Sequence, residues 1–597
     1  MTNVFFYFFL NVLLFYLGSD VMKNLLNNLK FSWNYVKGSK KSIILFLISN
    51  LFQIGFSIIA PILSAKIVIS LTTNEYIRII NIAVIIFLVD YISDIFGYFI
   101  SIMGSKIYRE TMTEIGYDLG RNILMLENKC LDENGSGLFI QRLTGDTSKI
   151  STIYSGLIRL LSEIFRDIGL YIAIFIINIV VFVFQILFFV FIYLLHRKKT
   201  HDEKERDKIY RVKNERVSGL VGELVRGACD IKMLNSENDF MSELNNKIDS
   251  TNRERYSMNK KTFGWNLLIF HVHDIQSLFM ILLLVLQMKH GIIIPSMALV
   301  VYNYSNRLGY ATNTINSLFE CIRDFNLSCE RIIEVMDGKK FKKEKFGKKH
   351  IDKIKGDFSF EHVCFSYDEN KVLDDLSFKV KANSTVAFVG KSGVGKSTIF
   401  SLLSKMYDIN SGKILIDGID ISLLDKDSIR GNITIISQNP YIFNMSIKDN
   451  LRLVKSDLTD DDMINACQVA CLDEFIASLP DGYNTIIGEG GLNLSGGQKQ
   501  RLAIARALVQ KTEIILFDEA TSALDNVTQE KISSAIRNMK GEYTIMIIAH
   551  RLSTIKSADK IFYISDGKVL MEGSHEYLLK NCKEYKKLYN TEIDKLT

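Results

Sequence analysis

Several features that identify other kinds of protein are scarce or missing in this sequence. None of the eight cysteines forms a C-x-x-C pair, and the closest two, Cys467 and Cys471, have the i,i+4 spacing of a helix. This pattern favours free thiols in a reducing compartment over disulfides or a metal site. The formal net charge is only +6 over 597 residues, which gives no reason to expect a nucleic-acid partner.

A cleavable signal peptide is also not evident, because the basic region follows the first apolar run instead of preceding it. That run, Val4–Leu17, is 14 residues long, short for a membrane span. The lysine-rich amphipathic segment after it, Leu25–Lys41, is typical of a helix that lies in the membrane interface. One hypothesis is that translation begins at Met22 and that residues 1–21 are not part of the native protein.

The chain divides into two unlike halves. Nearly all long apolar runs lie before about residue 310, and residues from about 350 onward have the composition of a soluble domain. A spanning helix needs about 20 apolar residues. Four stretches meet this requirement: Ile43–Leu71, Ile79–Met103, Phe263–Met288 and Ile292–Leu308.

A fifth apolar region, residues 157–195, has about 39 residues, enough for one long span or two short ones. Two spans that turn near Asn178 give six in total. This number keeps the lysine- and arginine-rich segments Arg109–Lys149 and Arg197–Lys261 on the same side, as the positive-inside rule requires. The predicted spans are about 43–71, 78–103, 157–177, 179–196, 263–288 and 292–310.

Three ionisable residues, Glu163, Arg166 and Asp167, fall at the start of the third predicted span. Charges at this depth are costly and often functional. A substrate contact is one possibility, and pairing among them at i,i+3 and i,i+4 on a helix that continues beyond the bilayer is the other. Lysines crowd between Lys339 and Lys349, which indicates a solvated linker beside an anionic membrane. The predicted segments are 1–21 uncertain, 22–335 transmembrane, 336–351 linker and 352–597 soluble.

The soluble half contains a phosphate-binding loop. An apolar strand, Thr385–Val389, leads into GKSGVGKS at Gly390–Ser397, and a helical pattern follows. This order of strand, glycine-rich loop and helix is the one in which backbone N–H groups surround phosphates. Lys396 is predicted to reach the β- and γ-phosphates, and Ser397 to hold Mg²⁺. The predicted nucleotide-binding residues here are Gly390, Ser392, Gly393, Gly395, Lys396, Ser397 and Thr398.

Two further strands are predicted to deliver acidic and basic groups to the same site. EIILF (Glu513–Phe517) ends in Asp518 and Glu519, and YTIMIIA (Tyr543–Ala549) ends in His550. Strand ends of parallel sheets are where ligands bind. Asp518 is therefore expected to hold Mg²⁺, Glu519 to orient or deprotonate water, and His550 to contact the γ-phosphate.

The stretch LSGGQ (Leu494–Gln498), followed by KQRLAIARAL, resembles the signature motif of ATP-binding cassette (ABC) proteins. The resemblance implies that Ser495, Gly496, Gly497 and Gln498 close over ATP held by a second subunit. It also implies that Tyr367 stacks on adenine and that Gln438 senses Mg²⁺ as a catalytic residue. Glu489 would lie in a loop that touches the transmembrane domains, and Ser522–Asp525 in a loop that communicates across the dimer.

The membrane half is similar to the exporter type of the same family. Gly137–Ile150 and Ser218–Asn238 resemble its first and second cytoplasmic loops, with coupling helices expected near Glu127–Asn134 and Gly227–Met233. No peptidase-like domain precedes the first span, so processing of a leader peptide is not expected. The implied fold is an all-α six-helix transmembrane domain followed by an α/β P-loop NTPase domain.

The resemblance implies an ATP-driven exporter that works by alternating access and uses ATP and Mg²⁺. Both Glu519 and LSGGQ are intact, which favours a homodimer of half-transporters, with a heterodimer still open. The expected cargo is an amphipathic or apolar lipid, drug or peptide, because a cavity lined by Phe, Ile and Leu is expected. The expected location is a cell membrane, the inner membrane of a bacterium, with the N-terminus and the nucleotide-binding domain in the cytoplasm. An importer of the same architecture and a non-transporting signalling unit remain alternatives, whereas six spans exclude a soluble cassette ATPase.

Overall fold

The computed structural model describes residues 23–368, 370–438, 440–488, 491–518, 530, 533, 536–537, 539–548, 555–556 and 558–594. The described chain forms two compact units. The first contains the described residues up to Leu124 together with Gly135–Lys340. The second contains Met125–Asn134 and the described residues from Phe341 onward.

The first unit is helical throughout its described elements. It contains α1 (residues 23–36), α2 (Lys40–Thr72), α3 (Tyr76–Ile123), the last part of α4 (Asn128–Gln141), α5 (Thr147–Ile177), α6 (Ile179–Arg226), α7 (Ala228–Met233), α8 (Glu237–Lys289), α9 (Pro295–Leu308) and α10 (Ala311–Met336). The backbone leaves the helical conformation inside α4 at Gly135 (φ 67°, ψ 157°), which is where the chain passes between units. Only glycine adopts such a conformation at little cost.

Four helical stretches among the described residues are long and apolar enough to cross a membrane: Lys23–Leu71, Tyr76–Ile123, Ile179–Arg226 and Glu237–Lys289. The last three have 48, 48 and 53 residues, more than twice the number that a bilayer requires, so each extends well beyond the hydrocarbon core. The two other predicted spans correspond to α5, which carries several ionisable residues, and to α9, which has only 14 residues. Six spans therefore stay a prediction.

The helices break at Asn178, the position of the predicted turn. This residue is extended (φ −160°, ψ 113°) and separates α5 from α6. Its side-chain oxygen accepts hydrogen bonds from the backbone N–H groups of Val180 and Val181 at 3.0 and 3.1 Å, as an N-cap residue does. Its amide donates to the Gln287 side chain on α8 at 2.8 Å, which ties the break to a neighbouring helix.

The charges in the middle of α5 pair differently from the expected i,i+3 and i,i+4 pattern. Arg166 donates to the adjacent Asp167 at 3.1 and 2.9 Å, and Glu163 accepts from Thr314 of α10 at 3.3 Å. Asp167 is only 5% exposed. A buried carboxylate needs a partner, so the arginine beside it turns toward it and not toward Glu163.

The second unit is an α/β domain with three sheets. Its elements are β1 (Phe358–Ser366), β2 (Lys371–Val380), β3 (Thr385–Val389), α11 (Lys396–Leu403), β4 (Ser411–Ile416), β5 (Ile419–Asp420), α12 (Lys426–Arg430), β6 (Ile433–Ile436), β7 (Met445–Ser446), α13 (Ile447–Arg452), α14 (Asp460–Val469), α15 (Asp473–Ala477), β8 (Ile486–Ile487), α16 (Gly496–Gln510), β9 (Ile514–Asp518), β10 (Thr544–Ile548), β11 (Lys560–Ser565), β12 (Lys568–Gly573), α17 (His575–Asn581) and α18 (Lys583–Asp594).

The largest sheet has the strand order β12-β11-β3-β10-β9-β6, and the second largest has the order β2-β1-β4-β5. The five strands from β11 to β6 are parallel. Every residue of β3 is buried, because the two faces of this strand enter different cores. Ala387 and Val389 belong to one core with α16, and Val386 and Phe388 belong to the core beneath the four-stranded sheet. Burial on both faces explains the uninterrupted apolar run in the sequence.

The second half of the predicted linker is packed into the second unit. Phe341 is 2% exposed, and the Glu344 carboxylate pairs with the Arg430 guanidinium at 2.6 and 2.9 Å. The backbone of Gly347 and Lys349 bonds to the carbonyls of residues 424 and 423. The compact unit thus begins at Phe341, earlier than the boundary at 352. The apolar residue and the acidic residue among the lysines supply these contacts.

His350 gives the second unit a testable pH dependence. Its imidazole forms hydrogen bonds with the carboxylates of Asp425 at 2.7 Å and Asp352 at 2.9 Å. The bond to Asp425 has the larger effect, and both bonds raise the pKa of the histidine. The stabilisation is complete below the unfolded pKa of about 6.5 and is lost as pH rises through the higher folded pKa. We expect His350→Gln to lower the apparent unfolding midpoint of the full chain at about pH 6 and to change it less at about pH 9. The exposed His290, changed in the same way, is the control, and equal shifts at both pH values would contradict this assignment.

Candidate nucleotide-binding site

The glycine-rich loop connects β3 to α11 and has the backbone geometry of a phosphate cradle. Gly395 is the N-cap of α11 and has φ 96°. A Cβ atom there would come within 2.8 Å of the Leu373 side chain. At Gly390 a Cβ atom would come within 2.3 Å of the carbonyl oxygen of Ile564. Both positions therefore require glycine, and the loop ends at the N-terminus of α11, where the first N–H groups have no partner within the helix and can bind an anion.

Lys396 lies inside this loop. Its ammonium group donates to the carbonyl oxygens of Gly390 at 2.9 Å and Lys391 at 2.8 Å, and the residue is only 6% exposed. Two other predicted loop residues, Ser392 and Gly393 (φ 82°), lie on the loop's outer turn. The arrangement keeps a buried positive charge within the ring of backbone groups where phosphate oxygens would bind.

Ser397 and Asp518 are in contact at the carboxyl ends of the parallel strands of the large sheet. The Ser397 hydroxyl donates to the Asp518 carboxylate at 3.0 Å. Asp518 is the last residue of β9, which runs parallel to β10, and β10 in turn runs parallel to β3. A hydroxyl and a carboxylate oxygen in contact are the hard oxygen donors that Mg²⁺ prefers, so the residues present fit this ion.

Gln438 follows the end of β6, next to β9 in the same sheet. Its backbone oxygen accepts a hydrogen bond from the Gln500 side chain on α16 at 3.0 Å. Helix α16 begins directly at the signature motif, so this contact connects two predicted functional segments. Other predicted residues lie outside the described residues, and these are Glu489, Glu519, Ser522–Asp525 and His550.

The signature motif forms the N-terminus of α16. The Ser495 hydroxyl accepts from the Gln498 backbone N–H at 3.3 Å, and the Gln498 side chain accepts from the Ser495 N–H at 2.8 Å. This capping box fixes the first turn, which contains Gly496 and Gly497. Ser495 and Gly496 are exposed. Exposed N–H groups at the positive end of a 15-residue helix are suited to receive an anion from outside the chain.

Tyr367, the predicted adenine platform, follows β1 and is 41% exposed. Its hydroxyl lies 3.3 Å from that of Thr398, a predicted nucleotide-binding residue on α11. Its ring packs edge-to-face on Tyr407 with 5.2 Å between ring centroids. The aromatic face of Tyr367 is thus fixed by two neighbours next to the phosphate loop, as a stacking platform requires.

Residues 125–134, which the sequence connects to the transmembrane half, pack beside this platform as part of the second unit. Lys129 donates to the Tyr367 carbonyl at 3.1 Å and to the Asp368 carboxylate at 2.7 Å. The Tyr407 hydroxyl donates to the Asp132 carboxylate at 2.8 Å. Burial is the larger cause and this hydrogen bond the smaller cause of a raised pKa of Tyr407. The hydroxyl therefore stays protonated and can donate the hydrogen bond. The segment overlaps the coupling helix expected at Glu127–Asn134.

Sequence reasoning did not identify several residues that hold these parts in place. Gln500 and Arg506 of α16 bind the segment after β6, the first through Gln438 and the second through the Tyr441 carbonyl at 2.8 Å. Tyr407 and Asp132 were not identified either. Gln500 and Arg506 lie within KQRLAIARAL, the segment after the signature motif. This pattern indicates a helix near the site but does not indicate which distant residues the two side chains contact.

Replacing Tyr407 is expected to have a moderate effect on ATP binding. Replacing it by alanine removes the edge-to-face contact with Tyr367, worth about 1 kcal/mol, and should raise the KM for ATP about fivefold. The kcat should change little, because Tyr407 does not reach the phosphate loop. Steady-state ATPase assays measure both constants. Tyr577, an exposed tyrosine on α17, is the control, and a fall in kcat at unchanged KM would contradict the platform role.

Comparisons with known proteins agree with this geometry. The family model described as "ABC transporter transmembrane region" matches residues 43–304, and the one described as "ABC transporter" matches residues 373–522. An uncharacterized ABC transporter ATP-binding protein of Bacillus subtilis, YknV, is 30% identical over 95% of this chain and 95% of its own length. The chain belongs to the ABC transporter family. The predicted order of a helical transmembrane domain followed by an α/β nucleotide-binding domain is confirmed, and the number of six spans stays a prediction.

Two further similarities are more limited. An ATP-dependent lipid A-core flippase of Haemophilus ducreyi is 42% identical, over 45% of this chain and 46% of the flippase, so the match spans about half the length of that relative. A bacterial Atm1-family ABC exporter solved with ATP bound superposes with a TM-score of 0.79 at 24% identity, over 94% of this chain and 99% of that one. The second similarity concerns the fold. For this ABC transporter, membrane location and ATP binding follow from the family.

Proposed function

We propose that this ABC transporter is an exporter half-transporter that pairs with a second copy and moves an amphipathic substrate out across a bacterial inner membrane. The observation that supports this best is that the phosphate loop and the signature motif lie at the starts of two different helices of the second unit. The phosphate loop holds Lys396 in its interior, whereas the signature at Ser495 is exposed at the start of another helix. The exposed signature is suited to complete a site on a neighbouring protomer.

The residues of the nucleotide-binding site have separate roles in ATP hydrolysis. Lys396 holds the β- and γ-phosphates, Tyr367 stacks on adenine, and Ser397, Asp518 and Gln438 would hold Mg²⁺. The ion supplies charge neutralisation at the phosphates when bound. Glu519, next in sequence to Asp518, orients and deprotonates the attacking water, and His550 stabilises the γ-phosphate as charge develops on it. The contact between Ser397 and Asp518 at 3.0 Å supports their shared role.

ATP binding drives transport through a two-state switch. ATP has a higher affinity for the closed pair of nucleotide-binding domains than for the open pair, and this difference is the free energy available to the transmembrane half. Residues 125–134 contact the platform tyrosine through Lys129, and this segment lies between α3 and α5 in the chain, so it is suited to transmit closure on ATP to these helices. Hydrolysis of ATP, with Glu519 activating the water, removes the ligand that favours the closed pair, and the two domains return to the open state.

A homodimer is favoured over a heterodimer because the chain retains both Glu519 and an intact LSGGQ. Two competent sites can then form from identical protomers. The N-terminus and the second unit lie in the cytoplasm under the six-span topology, in which the lysine- and arginine-rich loops share one side.

Transport in inverted membrane vesicles tests this proposal. The vesicles expose the nucleotide-binding domains to the medium, so an exporter should accumulate labelled amphiphile in the lumen when ATP is added. We expect no accumulation with Glu519→Gln. ATP-dependent movement from the lumen to the medium would indicate an importer, and ATP turnover without movement of any tested amphiphile would indicate a signalling unit.

A further inference from the structure

The first unit contains a polar cavity of about 430 Å³ between α2, α3, α5 and α9. Ten of its 14 lining residues are polar, and five of these are ionisable: Asp90, Arg159, Glu163, Arg166 and Arg307. Its composition differs from the expected lining of Phe, Ile and Leu. Ionisable residues within predicted spans are costly to place there, and where they face a cavity they mark a pathway for a polar group.

Among the described residues, these charges differ in how they are paired. Arg166 is held by Asp167, as described above, and Arg307 donates to the carbonyl of Ser57 at 2.7 Å. Among the residues that the structure describes, neither Arg159 nor Asp90 has an ion-pair partner. One positive and one negative group therefore remain available in the same cavity, on α5 and α3 respectively.

The predicted topology places these charges between the cytoplasmic surface and the middle of the membrane. Arg159, Glu163 and Arg166 lie in the first half of the span 157–177, which starts in the cytoplasm, and Arg307 lies at the cytoplasmic end of 292–310. Asp90 is near the middle of 78–103. The charged lining thus extends from the cytoplasmic end of the spans toward the middle of the membrane, on the side from which an inner-leaflet amphiphile would enter.

Resting on the export function proposed above, we propose that this cavity binds the zwitterionic headgroup of an amphiphile. A purely anionic headgroup would be repelled by Asp90 and Glu163, and a purely cationic one by Arg159 and Arg307. A headgroup with both charges can place its anionic group at Arg159 and its ammonium at Asp90. The volume falls within the usual range of small-molecule pockets and suits a headgroup, while the apolar tail stays against exposed residues of α3 such as Phe87.

The test compares headgroups that carry tails of equal length. The purified full chain is assayed for ATPase stimulation by a lysophosphatidylethanolamine, a lysophosphatidylglycerol and an alkyltrimethylammonium. The wild type should respond severalfold more strongly to the zwitterionic compound than to the other two. Arg159→Glu should shift the preference toward the cationic compound, and Asp90→Lys toward the anionic one. A folding defect would reduce all three responses together, so opposite shifts distinguish recognition from damage.

Arg253→Gln changes an arginine on α8 that is exposed and pairs only with Asp249 among the described residues, and should keep the wild-type ranking. A tail-free zwitterionic peptide should not stimulate, and stimulation by it but not by the lysolipid would overturn the assignment to an amphiphile. An unchanged ranking in both charge-reversal variants would overturn the inference alone. Absence of ATPase activity in every wild-type preparation would instead contradict the proposed function.

Discussion

Replacing Lys396 by alanine is expected to lower kcat/KM for ATP by at least about 100-fold, the usual effect of removing a group that stabilises charge at the reacting centre. The ammonium is buried in the glycine-rich loop and bonds to the carbonyls of Gly390 and Lys391. Steady-state ATPase assays on the purified chain measure the effect.

The same loop provides a matched control. Lys391 precedes Lys396 by five residues, and its side chain is exposed, so that only its backbone carbonyl takes part in the loop. Lys391→Ala should stay within about twofold of the wild type. Equal losses in both variants would mean that the loop tolerates no change of charge and that Lys396 has no special role. Thermal unfolding of each variant separates loss of chemistry from loss of fold.

The elements that determine the nucleotide site were predictable because their sequence patterns are local. The strand at Thr385–Val389 has the predicted bounds, and the strands before Asp518 and His550 are shifted by only one residue at either end. A buried parallel strand requires a continuous apolar run, and a phosphate loop requires glycines at fixed positions. The break at Asn178 followed from span length and from the charges of the flanking loops.

Contacts between residues distant in sequence were not predictable. Lys129 meets Asp368, and Asp132 meets Tyr407, across more than 200 positions. No periodicity or motif indicates such a pair, because either partner alone resembles an ordinary surface residue. The choice of Asp167 over Glu163 as the partner of Arg166 depends in the same way on which carboxylate the fold buries. The polar cavity of the first unit was not predictable for the same reason, since its five charges from three helices converge only in the folded chain.

Two inactive variants are expected to restore ATPase activity when they are mixed. In Lys396→Ala the phosphate loop is damaged, and in Ser495→Asp the signature is damaged. Aspartate still caps α16, because its carboxylate can accept the Gln498 N–H in place of the serine hydroxyl. Its charge repels the phosphates of the neighbour's ATP. Each variant alone should therefore be nearly inactive while α16 keeps its structure.

Mixing distinguishes a shared site from a self-contained one. If each site combines one protomer's loop with its partner's signature, a mixed pair has one site with both defects and one with neither. Random exchange makes half of all pairs mixed, so independent sites would recover about one quarter of wild-type activity. Strong cooperation between sites would reduce this fraction but not the pattern of nucleotide binding. Photolabelling by an ATP analogue should then mark the Ser495→Asp chain, whose loop is intact, and only when the Lys396→Ala chain is present.

The labelled chain decides the result independently of turnover. A site contained within one protomer would leave the Ser495→Asp chain without a functional signature whatever its partner, and mixing would change nothing. The exposed first turn of α16, with Ser495 and Gly496 at its surface, favours the shared arrangement. Since helix N-termini bind anions through free N–H groups, the labelling should depend on the neighbour's signature and should be lost when both chains carry Ser495→Asp.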